Sequence, residues 1–214
     1  MLSPLRALAA LAIVSLALPA SALTVVGQNY GSDVTAEVDL LWNGSDTLTI
    51  TIENTANAAA VTTAVVTGFA FNLPFDLADD DNPGGPTIMS FSASGTLDDA
   101  SWEAQAPAGN APGGYLFDIS GISGPNIAGG NPNDGFGIGA TATFTIVFSG
   151  APGGLTAGDF QSETSDGANG PSAFGVRFQS IPTGAGSDFA LVPAPGAAVL
   201  LASGLPLLLR RRRR

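Results

Sequence analysis

The 214-residue sequence contains no cysteine, no histidine and no lysine. Without cysteine the chain has no disulfides, no thiolate metal ligands and no attachment point for a lipoprotein lipid. Without histidine and lysine it cannot build a Ser-His-Asp or Cys-His catalytic centre, an imidazole metal site or a Schiff base. These absences exclude many enzyme classes, and we expect a non-enzymatic protein.

Positive charge is also scarce. The seven arginines are Arg6, Arg177 and the C-terminal run Arg210, Arg211, Arg212, Arg213 and Arg214, whereas all 18 acidic residues lie between positions 23 and 191. We call residues 23–191 the body; Arg177 is its one basic residue, so its formal charge is −17. Because nucleic-acid phosphates would repel this charge, we expect no DNA or RNA partner.

The first 22 residues are typical of a secretory signal peptide. Arg6 precedes an uncharged run, residues 7–18, and the small residues Ala20 and Ala22 fit a cleavage site after Ala22. An uncleaved membrane anchor is the alternative, but a run of about twelve residues gives only about 18 Å of helix. We therefore predict export through the secretion translocon.

The C-terminus has three consecutive parts. Val192, Pro193, Ala194 and Pro195 come first, the uncharged stretch 196–209 follows, and the five arginines end the chain. Counted from Ala190, the uncharged stretch has 20 residues, about the length that crosses a bilayer. Dense arginine resists translocation, so we predict a transmembrane helix with the body outside and the arginines inside.

This three-part end resembles the PEP-CTERM sorting signal of Gram-negative bacteria, in which a Val-Pro-Glu-Pro motif precedes a hydrophobic helix and a basic terminus. Val192, Pro193 and Pro195 match the motif, and Ala194 stands where the family usually has Glu. The resemblance implies processing near the motif by exosortase, a membrane-embedded protease, and transfer to the cell surface or the exopolysaccharide matrix. A plain single-span membrane anchor is the alternative, although it does not explain the two prolines.

The body is predicted to be all-β. Alternating apolar residues at 34–42 and 47–54, separated by Asn43-Gly44-Ser45-Asp46, indicate a hairpin. Further strands are predicted at 61–73, 87–93, 101–105, 115–120, 140–149, 160–164 and 172–181. Short strands separated by Gly/Pro-rich loops favour an antiparallel β-sandwich, jelly-roll-like, over residues 23–182. Residues 183–191 are interpreted as a linker to the sorting signal at 192–214.

One loop of the body concentrates oxygen ligands. It contains Asp76, Asp79, Asp80 and Asp81. Close carboxylates repel one another unless they are solvated or bridged by a cation, and Ca²⁺ is the natural extracellular choice. A solvated acidic loop is the alternative that we favour. Asn131, Asn133 and Asp134 form a weaker second cluster.

Two further hypotheses concern sugars. Glycoside hydrolysis needs only two carboxyl groups, but among Glu37, Glu53, Glu103 and Glu163 nothing in the sequence selects a pair. Trp102 is a candidate platform for stacking on a sugar, whereas the alternation around Trp42 places that ring in the core.

Together these features predict an exported surface or matrix protein with a structural or adhesive role linked to exopolysaccharide. A carbohydrate- or Ca²⁺-binding module, a secreted glycoside hydrolase and a simple membrane-anchored protein are the alternatives. The expected partners are the translocon, exosortase, the membrane and exopolysaccharide.

Overall fold

The computed structural model describes residues 22–97, 99–168, 170–182 and 186–193. Their strands are β1 (Leu23–Gly27), β2 (Gly31–Trp42), β3 (Thr47–Asn54), β4 (Val65–Phe71), β5 (Thr87–Gly95), β6 (Glu103–Gln105), β7 (Asn110–Ala111), β8 (Tyr115–Leu116), β9 (Ile119–Ile122), β10 (Thr141–Ser149), β11 (Ser172–Gln179) and β12 (Ser187–Pro193). One α-helix, α1 (Ala157–Ser162), and two short 3-10 turns, Asp99–Ser101 and Pro132–Asp134, complete the described structure. No helix within these ranges has the length and apolar character needed to cross a bilayer.

Ten of these strands form one antiparallel sheet in the order β5-β10-β3-β2-β1-β12-β11-β4-β9-β6, and β7 pairs with β8 separately. The edge strands β5 and β6 approach each other, so the sheet is nearly closed. The prediction of an all-β fold is confirmed.

The predicted hairpin is β2–β3. The residues at 34, 36, 38, 40 and 42 are all buried, while Leu41 on the opposite face is 45% exposed. The Asn43 side chain accepts hydrogen bonds from the backbone N–H groups of Ser45, Asp46 and Thr47 at 2.9–3.0 Å, which fixes the turn. Alternation and turn chemistry agree here, and the register pairs Trp42 with Leu48.

The core lies inside the curled sheet. Phe69 is its aromatic centre, with ring centroids 4.7 Å from Phe144 and 5.9 Å from Phe174. A second, smaller apolar cluster around Tyr115, Phe117 and Phe189 lies against β4 and β12. The segment between β6 and β9 supplies Tyr115 and Phe117 to this cluster, and nearly all residues of β4 and β11 are buried.

The strand predicted at 160–164 is wrong, since the chain forms α1 there. The Asp159 carboxylate accepts hydrogen bonds from the backbone N–H of Thr156 at 2.6 Å and from its hydroxyl at 2.8 Å, which caps the first turn. The ring centroid of Phe160 lies 5.2 Å from that of Trp42. The apolar residue therefore anchors a helix to the core.

The linker predicted at 183–191 is wrong over residues 187–191, which belong to β12. This strand lies between β1 and β11 and hydrogen-bonds to both. Its residues from 188 to 192 are all buried, so it lacks the period-two alternation that identifies a strand with one solvent-facing side.

Candidate functional site

One end of the sheet gathers several long connections, and we call it the Pro193 end. Because neighbouring strands are antiparallel, strand starts and strand ends alternate at this end. The strands that start there are β1, β3, β5, β9 and β11, and those that end there are β2, β4, β6, β10 and β12. The loop between β4 and β5 and the segment between β6 and β9 both open at this end. Such loops on a rigid sheet are where binding residues most often lie.

A groove of about 630 Å³ lies between these two connections. It is lined by residues 75–79, 81–82, 86–88, 106–107 and Asp118. Phe75, Leu77 and Ile88 supply apolar surface, and the lining contains four carboxyl groups and no basic side chain. The groove thus has the mixed apolar and hydrogen-bonding character of a small-ligand site.

The acidic loop keeps its shape through its own hydrogen bonds. Asp79 Oδ1 accepts from the backbone N–H groups of Asp81 and Asn82 at 2.9 and 2.7 Å. Asn82 Nδ2 donates to the Asp76 carbonyl at 3.3 Å, and the Ala78 N–H donates to the Pro86 carbonyl at 2.7 Å. One oxygen of Asp79 therefore forms a turn of the Asx type.

Asp118 is the carboxyl group with the most distinctive environment in the groove. Its Oδ2 accepts a hydrogen bond from the Leu73 backbone N–H at 2.8 Å. Burial raises the pKa of Asp118 above its usual range; the Leu73 hydrogen bond opposes this shift, and the nearby charge of Asp76 adds to it. A half-buried carboxyl of this kind can accept hydrogen bonds from hydroxyl groups or interact with a cation.

The four aspartates predicted to bind calcium do not form a single ligand set. Asp76, Asp79 and Asp81 line the groove, and Asp80 does not. Across the described residues, no group of three or more acidic side chains is arranged to hold a metal ion. The geometry gives calcium no support, and calcium binding stays a prediction.

The weaker cluster at 131–134 forms a local turn. Asn131 Oδ1 accepts from the Asn133 N–H at 3.2 Å, and Asn131 Nδ2 donates to the Asp134 carboxylate. These bonds cap the second 3-10 turn. The polar side chains of this cluster thus stabilise the backbone of the turn through hydrogen bonds.

Trp102 is not a sugar platform, so that hypothesis is wrong. The side chain is only 5% exposed, and its Nε1 donates to the Asp134 carbonyl at 2.7 Å. Its ring centroid lies 4.8 Å from that of Phe144 and 6.2 Å from that of Phe136. Trp102 lies between the first 3-10 turn and β6 and is buried there, a placement that the flanking polar residues concealed. Trp42 is in the core, as predicted, at 3% exposed.

The candidate glycosidase carboxylates lie away from the groove. Glu37 and Glu53 face each other across β2 and β3, and Thr24 Oγ1 donates to Glu37 Oε1 at 2.8 Å. Glu103 and Glu163 are exposed, on β6 and after α1. None of the four lines the groove, so the structure brings no pair of them to it.

The sequence interpretation missed two carboxylates, Asp118 and Asp188. Asp118 stood inside a predicted strand, and Asp188 stood inside the predicted linker, so neither appeared as part of a cluster. Asp188 is 1% exposed and accepts hydrogen bonds from Asn29, Tyr30 and Phe189. The one available indication was Arg177, the only basic residue of the body, whose guanidinium donates to Ser187 Oγ and to the Asp188 carbonyl at 3.0 and 3.3 Å.

The predicted processing residues fall mostly outside the described residues. Ala20, Ala194, Pro195 and the five C-terminal arginines all lie there. Ala22 directly precedes β1, and Val192 and Pro193 belong to β12.

Comparison of the chain with protein-family models, with curated proteins and with solved structures found no match.

Proposed function

We propose that the protein is an exported component of the cell surface or extracellular matrix, processed at its C-terminus by an exosortase. Its role is structural or adhesive and is linked to exopolysaccharide. The observation that carries this proposal is the three-part end: Val192, Pro193 and Pro195, the apolar stretch 196–209 and the five arginines.

Two structural features support the proposal. β1 begins at Leu23, directly after the expected signal cleavage, and β12 extends to Pro193, inside the motif. The strands of the described residues thus lie between the two expected processing points. In this proposal the exported body is a jelly-roll-like β-sandwich. The observation in its favour is the curled ten-stranded antiparallel sheet.

Intact-mass measurement on the protein purified from its native cells, after fractionation, tests the proposal. We expect a molecule in the surface or matrix fraction that begins at Leu23 and lacks Arg210–Arg214. A cytosolic molecule, or a surface molecule that retains the arginines, would contradict it.

The acidic groove favours a second candidate function, which is binding of a polysaccharide segment; the calcium-binding alternative predicted from the sequence is tested separately below. Its volume, its apolar lining side chains and the half-buried carboxyl of Asp118 suit a polyhydroxylated ligand. Titration with exopolysaccharide purified from the native cells should then show saturable binding. Asp118→Asn should weaken it, while Asp39→Asn, on the exposed face of β2, should not. Non-saturable binding, or equal affinities for the two variants, would remove this candidate.

Calcium binding has its own test. Thermal unfolding is measured with and without millimolar CaCl₂, with MgCl₂ as the control for ionic strength. A site that binds only the folded state raises the midpoint as calcium is added. An unchanged midpoint removes the calcium-binding alternative.

A further inference from the structure

The last strand is an interior strand of the sheet. On one side, Val26 and Gly27 of β1 pair with Leu191 and Ala190 of β12. On the other side, β11 pairs with β12 along its whole length. An interior strand cannot be removed without leaving the backbone groups of two neighbours unpaired.

The first half of the sorting motif belongs to this strand. Val192 is 9% exposed, belongs to the main core cluster and pairs with Phe174. Its carbonyl accepts a hydrogen bond of 2.6 Å from the hydroxyl of Ser172, which is itself 1% exposed. Pro193 pairs with Ser172. In the folded body, the Val192 side chain contacts the core and is not accessible to another protein.

The strand includes residues that the sequence analysis counted toward the transmembrane stretch. Residues 190–193 belong to β12, so 16 of the 20 uncharged residues counted from Ala190 remain beyond it, at 194–209. As a helix, 16 residues would span about 24 Å, somewhat less than the core of a bilayer. In a precursor anchored by this stretch, no residue is left over as a spacer, and the end of β12 would lie close to the membrane.

Given the proposed function, we propose that processing cuts the chain after Pro193, so that Val192 and Pro193 remain in the mature protein as the last residues of β12. Hydrolysis adds one water across the peptide bond, leaving a carboxylate on the body and a free amine on the released membrane segment. The protease engages the folded precursor through residue 194 and those that follow. Val192 acts in the motif as a core residue of the substrate.

Sequencing of the C-terminal peptide of the mature protein from native cells locates the cut. We expect the last residue to be Pro193 or a later one. A last residue at position 192 or earlier, with the arginines gone, would overturn this inference and leave the proposed function intact. Retention of Arg210–Arg214 would overturn both, so the two failures are distinguishable.

A matched pair of variants in the full chain, purified in detergent, tests the place of Val192 independently of processing. Val192→Ala removes two buried methyl groups, so we expect the thermal midpoint to fall by several degrees. Val26→Ala makes the same change on β1, where the side chain is 42% exposed, and should lower the midpoint clearly less. Equal midpoints for the two variants would show that Val192 does not hold β12 in the sheet, and would overturn the inference.

Discussion

At the residue scale, the buried carboxylate of Asp188 fixes the turn between the first two strands. It accepts hydrogen bonds from the backbone N–H and the side-chain amide of Asn29 at 3.1 and 3.0 Å. It also accepts from the backbone N–H groups of Tyr30 at 3.1 Å and of the adjacent Phe189 at 2.8 Å. A buried charge is tolerated when hydrogen bonds replace its lost hydration. The contact depends on a close approach of the β1 backbone at Gly27.

Gly27→Ala should therefore destabilise the protein. A Cβ at this position would lie 2.4 Å from Asp188 Oδ2 and 3.1 Å from the Cβ of Val34, so the carboxylate or the strand must move. We expect the free energy of unfolding, measured by urea titration, to fall by about 1–3 kcal/mol. Gly137→Ala is the control, since a Cβ there has nothing within 4 Å. A similar loss in both variants would contradict the role assigned to the close approach.

Asp118 gives a pH-dependent prediction at the same scale. Because burial raises the pKa of Asp118 from its ordinary value of 3.8, the folded state binds more protons than the unfolded state just above that value. Stability supplied by this group is therefore present below pH 3.8 and is lost as the pH rises through the folded pKa.

Asp118→Asn removes this pH-dependent loss while keeping an oxygen that can accept from Leu73. The thermal midpoint of Asp118→Asn minus that of the wild type should be larger at about pH 7 than at about pH 3. Asp39→Asn controls for the removal of one surface charge. If Asp118→Asn lost stability relative to Asp39→Asn at neutral pH, the carboxylate would instead be stabilised in the folded protein.

At the scale of secondary-structure elements, α1 and β12 show what the sequence could and could not predict. β2, β3 and β10 were predictable because one face of each is buried and the other is partly exposed, which gives alternation. β12 was missed because both of its faces are buried. α1 was mistaken for a strand because its six residues are too few for a helical period to show. Within the groove, the 76–81 loop was found from composition, whereas Asp118 comes to it only through the pairing of β9 with β4.

Phe160 should be the main stabilising contact of α1. It is 1% exposed, and its ring centroid lies 5.2 Å from Trp42 and 6.3 Å from Phe75. We expect Phe160→Ala to lower the free energy of unfolding by about 3–5 kcal/mol. Phe160→Leu, which fills more of the space, should cost clearly less in the same urea titration. Indistinguishable values for the two variants would mean that α1 is not anchored through this ring.

At the scale of the whole molecule, negative charge dominates the body. The body carries 18 acidic residues and Arg177, and the acids at 46, 76–81, 118, 159, 163 and 166 all belong to connections at the Pro193 end. Like charges at this density repel one another and favour solubility over compactness. Salt screens such repulsion within about 10 Å at an ionic strength of about 0.1 M.

Stability should therefore increase with salt. We expect the thermal midpoint to rise by a few degrees between about 10 mM and about 500 mM NaCl. The triple replacement of Asp79, Asp80 and Asp81 by Asn removes part of the repulsion and should reduce this salt dependence. A midpoint that falls with NaCl, or an unchanged slope in the triple variant, would contradict this explanation.

The pairing of β1 with β12 joins the first and last strands of the described chain. Until β12 is present, β1 and β11 each lack a neighbour, and the sheet remains in two separate parts. Contacts between such distant parts of a chain form slowly, since loop closure precedes them. During synthesis, β1 must therefore wait for residues 187–193 before the native sheet can assemble.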